Sequence, residues 1–511
     1  MDEFIFGANI LENLTTGMYQ DSKVIYREYI QNSCDQIDKA VRDGILKQNE
    51  GFIKIWLDHE KRNITIEDNA TGIPEAEFKR TLGNIADSDK KIGEDKGFRG
   101  IGRLCGLAYC KELIITSSFN EEGIVSILKC DAKKMRRLID EHARGMKHTA
   151  NDVLQAIYQF EQKKEKNSAS HFFKVELIDI NPENTDLLDF QQVKDYLSFV
   201  APAPYQSSFH YRSKIYNHAK ELGTKIDEYN ITLDGEQIFK KYTTILKDPN
   251  GETYDDISDV ELKDFKNENG ELLAWMWVGV CSFKKSIPPK NNPMRGLRLR
   301  KENIQIDGED SLQNLFKEPR GNGYFIGEVF AIDKELIPNS QRDYFNENKA
   351  RNDLERELKK YFNEDLQKIY NVGSEVNSAY NKIETFERKN AEFKTKEINK
   401  SFLDDTHRKR ELKNVQESKE KADAAQETIK KAKEKAGILA QKVISKIEAE
   451  RPLSVAKPVF HPLNAKSHEN RKFSKYSQNE RKIISKIFSI ISTVADPETA
   501  ELIIKKIEDK L

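Results

Sequence analysis

The sequence predicts an α+β protein that ends in a long helical region. Three observations carry this expectation. The first 182 residues mix helical and strand periodicities, residues 229–375 hold a second set of strand-like runs, and residues 376–450 are almost free of Gly and Pro but rich in Lys and Glu. At 511 residues the chain is too long for one core, since a domain usually holds about 100–200 residues.

The elements are expected as follows. Residues 22–44 read as a helix, with Ser22 as its cap and Ile25, Tyr29, Ile37 and Val41 at helical spacing. Residues 52–57 alternate as a strand, and 64–67 form a second strand after a polar turn. Residues 83–106, rich in Gly and charge, are expected to form a mobile loop that enters an apolar helix at 104–109. A strand is expected at 172–178, and a linker with short helices over 183–228, including Ala201-Pro-Ala-Pro-Tyr205. The second α/β region, 229–375, has strands at 272–281, 297–306 and 324–332. In 376–450, Leu412, Val415, Ala422, Ile429, Ala436, Ala440, Val443 and Ile447 fall on heptad a/d positions. Lys419, Gln426 and Lys433 interrupt this seam, so a helical hairpin or a partner-dependent coiled coil is expected rather than a strong zipper. Residues 451–511 give a Pro-containing break and one amphipathic helix near 480–511.

The net charge of −1 gives the whole chain no pull toward nucleic acid or membrane, leaving only local basic patches. Five cysteines without a C-x-x-C pair suit a reducing compartment. No run reaches the roughly 20 apolar residues of a membrane span, and the N-terminus has no basic leader. A cytoplasmic location without membrane contact is expected.

Three motifs carry chemistry. In Arg27-Glu-Tyr-Ile-Gln-Asn-Ser-Cys-Asp35, helical spacing puts Glu28, Asn32 and Asp35 on one face. A carboxylate there can orient and deprotonate water, and an amide oxygen one turn on can coordinate Mg²⁺. An ordinary polar helix face would look the same. In Ile64-Thr-Ile-Glu-Asp-Asn-Ala-Thr-Gly-Ile-Pro74, a strand ends at Asp68 and a turn holds Gly72. Asp68 can accept a hydrogen bond from an adenine amino group, and Gly72 permits close backbone approach; a plain Asx turn is the alternative. In Lys96-Gly-Phe-Arg-Gly-Ile-Gly-Arg-Leu104, Gly97, Gly100 and Gly102 lead into a helix, where backbone N–H groups suit phosphate oxygens. Each motif is weak alone. Their order within about 80 residues is a far rarer coincidence.

This series resembles the GHKL (Bergerat-fold) ATPases, which include gyrase B, the heat-shock-protein-90 chaperones, mismatch-repair MutL, histidine kinases and MORC proteins. The likeness is greatest to the chaperone and MORC branches, whose N-terminal segment resembles Ile10-Leu-Glu-Asn-Leu-Thr-Thr-Gly-Met-Tyr-Gln-Asp21. The resemblance implies a Bergerat α/β sandwich over 1–182 and a ribosomal-S5-like middle domain over 229–375. It implies ATP and Mg²⁺ as cofactors, Glu28 as general base and Asn32 as metal ligand. Asp35 would support the site, Asp68 would anchor adenine, Gly72 would line its pocket, and Gly97, Gly100 and Gly102 would form the phosphate lid. Ser170 matches a family threonine near adenine. Ala70 departs from the family pattern, which has glycine there. In Leu336-Ile-Pro-Asn-Ser-Gln-Arg-Asp-Tyr-Phe345, Arg342 matches a middle-domain arginine that reaches the γ-phosphate, a task suited to a planar guanidinium. The run Arg295-Gly-Leu-Arg-Leu-Arg-Lys301 reads either as a phosphate or nucleic-acid contact or as the solvated face of a strand.

The functional expectation is an ATP-gated homodimeric clamp with ATPase activity, acting on an unidentified protein client or nucleic acid. The alternatives are a DNA-associated MORC-, MutL- or topoisomerase-like ATPase, or a slow ATP-switched scaffold in a bacterial defence or stress system. A sensor histidine kinase is set aside, because Glu28 stands too near the N-terminus for an upstream phosphoacceptor helix.

Overall fold

The computed structural model describes residues 5–15, 17, 21–87, 96, 100–165, 169–398, 402–451, 473 and 475–511. Gly97, part of the segment 10–21 and nearly all of the break at 451–467 lie outside the described residues. The fold is α+β, with two compact units: residues 1–279 with 286–364, and residues 280–285 with 365–511.

The first unit begins with helices α1 (Asn9–Thr15) and α2 (Val24–Arg42). Strands β1 (Phe52–Asp58) and β2 (Asn63–Asp68) follow, then α3 (Glu75–Gly83). A tight 3₁₀ helix, Gly102–Ala108, leads into β3 (Cys110–Ser118) and β4 (Ile124–Asp131). Next come α4 (Ala132–Ala143), α5 (Ala150–Ile157), β5 (Tyr158–Lys164), β6 (Phe172–Ile180), α6 (Phe190–Val200) and α7 (Arg212–Glu221). Strands β7 (Asn230–Leu233) and β8 (Glu236–Gln237) close an eight-stranded sheet of order β5-β4-β3-β6-β2-β1-β7-β8. Alternation decides which side chains enter the core. In β2, Ile64, Ile66 and Asp68 share the buried face, so the period that buries two isoleucines also buries the carboxylate. Helix α2 buries Ile25, Tyr29, Ile30, Cys34, Ile37 and Ala40 in the same apolar cluster.

Ser22 does not cap α2. Its hydroxyl donates to Asp186, and the helix starts after Lys23 without a side-chain cap. The stretch expected as a linker carries α6 and α7, and strand β7, beyond the boundary at 228, pairs with β1 in parallel.

A second sheet contains β11 (Asp259–Lys266), β12 (Leu272–Val280), β13 (Gly296–Lys301), β14 (Ile304–Ile306) and β15 (Ile326–Ala331), in the order β11-β12-β15-β13-β14. A small two-stranded sheet, β9 (Ile245–Lys247) with β10 (Thr253–Asp256), precedes it. The single strand expected at 297–306 is a hairpin. Glu302 and Asn303, with φ of 53° and 61°, form its two-residue turn, the conformation that right-twisted hairpins favour. The basic run is neither a solvated face nor a free phosphate contact. Arg298, Arg300 and Lys301 are buried, and Arg300 and Lys240 share the carboxylate of the buried Glu328. Tyr205 and the Trp277 indole complete the set by donating to Glu328. A buried charge of this kind survives only when paired and hydrogen-bonded. Helix α8 (Lys349–Tyr361) ends the unit.

The second unit is helical. Helices α9 (Gln367–Ile398) and α10 (Asp405–Lys435) form a hairpin, and α11 (Ile438–Glu450) packs back on α9. Val415, Ala422, Ile429, Val443 and Ile447 of the expected seam are buried within this chain. Of the interrupting residues, Lys433 stays exposed and pairs with Glu448. The last helix is two, α12 (Gln478–Val494) and α13 (Pro497–Glu508). Asp496 caps the second by accepting from the Thr499 amide, and Pro497 opens it. A proline has no N–H to continue a helix and drives the residue before it out of the helical region. Among the described residues, no helix is long and apolar enough to cross a membrane.

Candidate nucleotide site

A cavity of about 380 Å³ opens between α2, the ends of β2, β3 and β6, and the loop after β15. Glu28, Asn32, Asp35, Asp68, Gly72, Gly100, Gly102 and Arg342 all line it. Gly97 lies outside the described residues. Ser170 does not line the cavity; its carbonyl accepts a hydrogen bond from Ser118 Oγ at 2.9 Å.

One end of the cavity suits a flat heterocycle. Asp68 is 1% exposed and takes the Ala70 amide at 3.0 Å, while Ile115, Phe173 and Val175 supply an apolar wall from neighbouring strands. The turn after Asp68 is tied down on several sides. Thr71 Oγ1 donates to Gln36 Oε1 at 2.9 Å, the Ile73 amide donates to Ser117 Oγ at 2.8 Å, and His171 Nδ1 lies 2.8 Å from the Ala70 carbonyl. Gly72 has φ of 68°, and a Cβ there would lie 2.0 Å from the Ser118 carbonyl oxygen. No L side chain fits. Ala70, the departure from the family pattern, puts its methyl into the core cluster and is fully buried.

The other end is built for charge. Glu28 Oε1 lies 3.3 Å from Arg27 Nη2. A Cβ at residue 102 would sit 2.4 Å from Glu28 Oε2, so Gly102 is what lets the loop backbone approach the carboxylate. The Tyr29 hydroxyl fixes the 3₁₀ helix that follows, donating to the Arg103 carbonyl at 3.1 Å and accepting from the Gly106 amide at 3.2 Å. Asp35 Oδ1 accepts from the Lys96 amide at 2.7 Å. Arg342, 5% exposed and with φ of 56°, donates through Nη2 to the Lys96 carbonyl. Arg27 Nη2 reaches the Gln341 carbonyl at 3.4 Å, so the 337–345 loop also rests on α2.

Apart from Arg342, the cations of the cavity escaped the sequence reading. Lys39 and Arg42 line it, and with Glu28, Asn32 and Asp35 they form a 4-3-4-3 series on α2. Extending the helical period would have found them. Arg80 and Arg103 also line it, without a comparable signal. Lys96 carries its charge among acids. Burial pulls its pKa down, but Asp227 and Asp38 outweigh that and hold it above the ordinary lysine value.

An acidic, apolar-walled pocket joined to a glycine-edged, arginine-bearing end is the layout of a nucleoside-triphosphate site. The family model described as "Histidine kinase-, DNA gyrase B-, and HSP90-like ATPase" matches residues 20–165. Over residues 20–165 the chain thus matches the GHKL ATPase family. Similarity to curated proteins points to one branch. Chaperone protein HtpG of Coxiella burnetii (strain RSA 331 / Henzerling II) is 38% identical over 85 residues, covering 16% of this chain and 13% of that protein. Chaperone protein HtpG of Psychrobacter cryohalolentis is 35% identical over 95 residues, covering 17% and 14%. Chaperone protein HtpG of Fusobacterium nucleatum is 29% identical over 171 residues, covering 29% and 28%. The chain thus spans only 13–28% of the length of these relatives, and the likeness is to a GHKL ATPase domain of heat-shock-protein-90-like type.

Proposed function

We propose that the chain is a Mg²⁺-dependent ATPase of the heat-shock-protein-90-like class that works as an ATP-gated dimeric clamp on a protein client. The observation that carries the reading is the convergence of Glu28, Asn32, Asp68, Gly72, Gly102 and Arg342 on one cavity. Asp68 accepts the adenine amino group, and the base lies along Ile115, Phe173 and Val175. Glu28 accepts the proton of the attacking water. Arg342 stabilises charge that builds on the transferred phosphoryl group, and Asp35 holds the backbone at Lys96. Asn32, one turn from Glu28 on the same cavity wall, offers the oxygen that a hard cation prefers and would hold Mg²⁺ with the phosphates. Mg²⁺ supplies neutralisation of phosphate charge.

Asp68→Asn tests the base pocket. It places a donor against the adenine amino group and leaves a buried group unsatisfied, which costs about 1–3 kcal/mol and weakens ATP affinity roughly 5- to 150-fold. Calorimetric titration measures this; near-native affinity would place the base elsewhere. The dimeric part is tested by small-angle scattering of the full chain. A non-hydrolysable ATP analogue should give a more compact dimer, and a particle that stays monomeric with the analogue bound sinks the clamp.

A further inference from the structure

Lys96, near the cavity, is engaged at its amide, its carbonyl and its ammonium, and it has no role in the reaction proposed above. Its amide donates to Asp35 Oδ1 at 2.7 Å. Its carbonyl takes the Arg342 guanidinium. Its ammonium, on a side chain 8% exposed, lies 2.6 Å from Asp38 Oδ2 and 3.5 Å from Asp227 Oδ2. Asp38 is itself oriented by the Tyr229 hydroxyl, 2.8 Å from both carboxylate oxygens. The backbone carbonyl of Asp227 accepts from Asn303 Nδ2 at 2.5 Å, and Asn303 belongs to the β13–β14 turn. One lysine therefore ties α2, the segment before β7, the second sheet and the Arg342 loop to the phosphate end of the cavity.

We infer that Lys96 is a positioning residue for ATP hydrolysis: its ammonium, clasped by Asp38 and Asp227, holds its own carbonyl where Arg342 can be fixed in the cavity. This rests on the proposed ATPase reading. The side chain touches no reacting atom; it acts through Arg342. Without the charge, Asp38 and Asp227 face each other with only the exposed Lys225, 3.4 Å from Asp227 Oδ1, to offset their repulsion. The backbone at residue 96 then shifts, and Arg342 loses its acceptor. A displacement of about 1 Å in a group that must meet a transition state costs up to about 100-fold in rate, while the ground-state grip on adenine at Asp68 is untouched.

The test uses the full chain, with ATP turnover, calorimetric ATP affinity and thermal unfolding measured together. Lys96→Met should lower kcat about 10- to 100-fold and leave ATP affinity near that of the unaltered protein. Adding Lys96→Met to Arg342→Ala should slow turnover no further, since both act through one contact. Asp227→Asn, which leaves Lys96 in place, should lower kcat in the same direction and guards against a folding defect in the first variant. Unchanged kcat in Lys96→Met, or single effects that multiply in the double variant, overturns the inference. Glu28→Ala is the control. If it stops turnover while Lys96→Met does not, this inference alone fails; if the unaltered protein turns over no ATP, the ATPase reading fails first.

Discussion

Replacing Glu28 with alanine should lower ATP turnover by about 10²–10⁴-fold, the usual worth of a positioned general base. Glu28 stands on the buried side of α2, lines the cavity, and is approached by the loop backbone at Gly102. Asp68 and the apolar wall lie on separate strands and are not altered, so ATP affinity should persist. Steady-state turnover and calorimetry on the same preparation separate the two effects. Loss of both together would mean that Glu28 holds the fold or the nucleotide rather than the water. Full turnover in the variant would move the base to another side chain.

Gly72→Ala should damage the pocket more than any other single methyl added at the site. Residue 72 has φ of 68°, and the new Cβ would lie 2.0 Å from the Ser118 carbonyl oxygen and 3.2 Å from that of Phe172. Both are backbone atoms in paired strands and cannot rotate away. Left-handed backbone and forced overpacking together cost about 2–5 kcal/mol. Thermal unfolding should fall by several degrees, and ATP binding should fall with it because the 69–73 turn shapes the base pocket. Near-native melting and affinity would show that this turn is far looser than its hydrogen bonds indicate.

What was legible in the sequence follows from periodicity. The 3.6-residue repeat puts Glu28, Asn32 and Asp35 on one face, and the two-residue repeat puts Asp68 behind Ile64 and Ile66; that helix and strand meet at one cavity was implied only by the family resemblance. The same arithmetic missed whatever depends on distant partners. Ser22 reads as a cap until Asp186, 164 residues away, takes its hydroxyl. The alternating arginines of β13 read as a wet strand because Glu328, which neutralises Arg300, comes 28 residues later. Lys96 looked like the start of a glycine loop, and its acids at 38 and 227 have no sequence relation to it. The heptads of 376–450 were visible, but only packing decided that α9, α10 and α11 bury them against one another. The edge strand β5 carries a weaker signal, since it is half-buried or exposed along its length.

The parallel pairing of β7 onto β1 has a mechanical consequence. Ile231 stands opposite Ile53, and Ile53 stands opposite Asp68. Strand β7, which only the short β8 separates from the chain's exit toward the second sheet, is thus two ladder rungs, about 10 Å, from the Asp68 carboxylate. A pull along that chain loads a hydrogen-bonded ladder in shear, where several bonds must yield at once, instead of peeling a loop. The cavity wall at Asp68 and strand β7 therefore move as one stiff plate, and a pivot for larger motion lies beyond Gln237, where β8 ends.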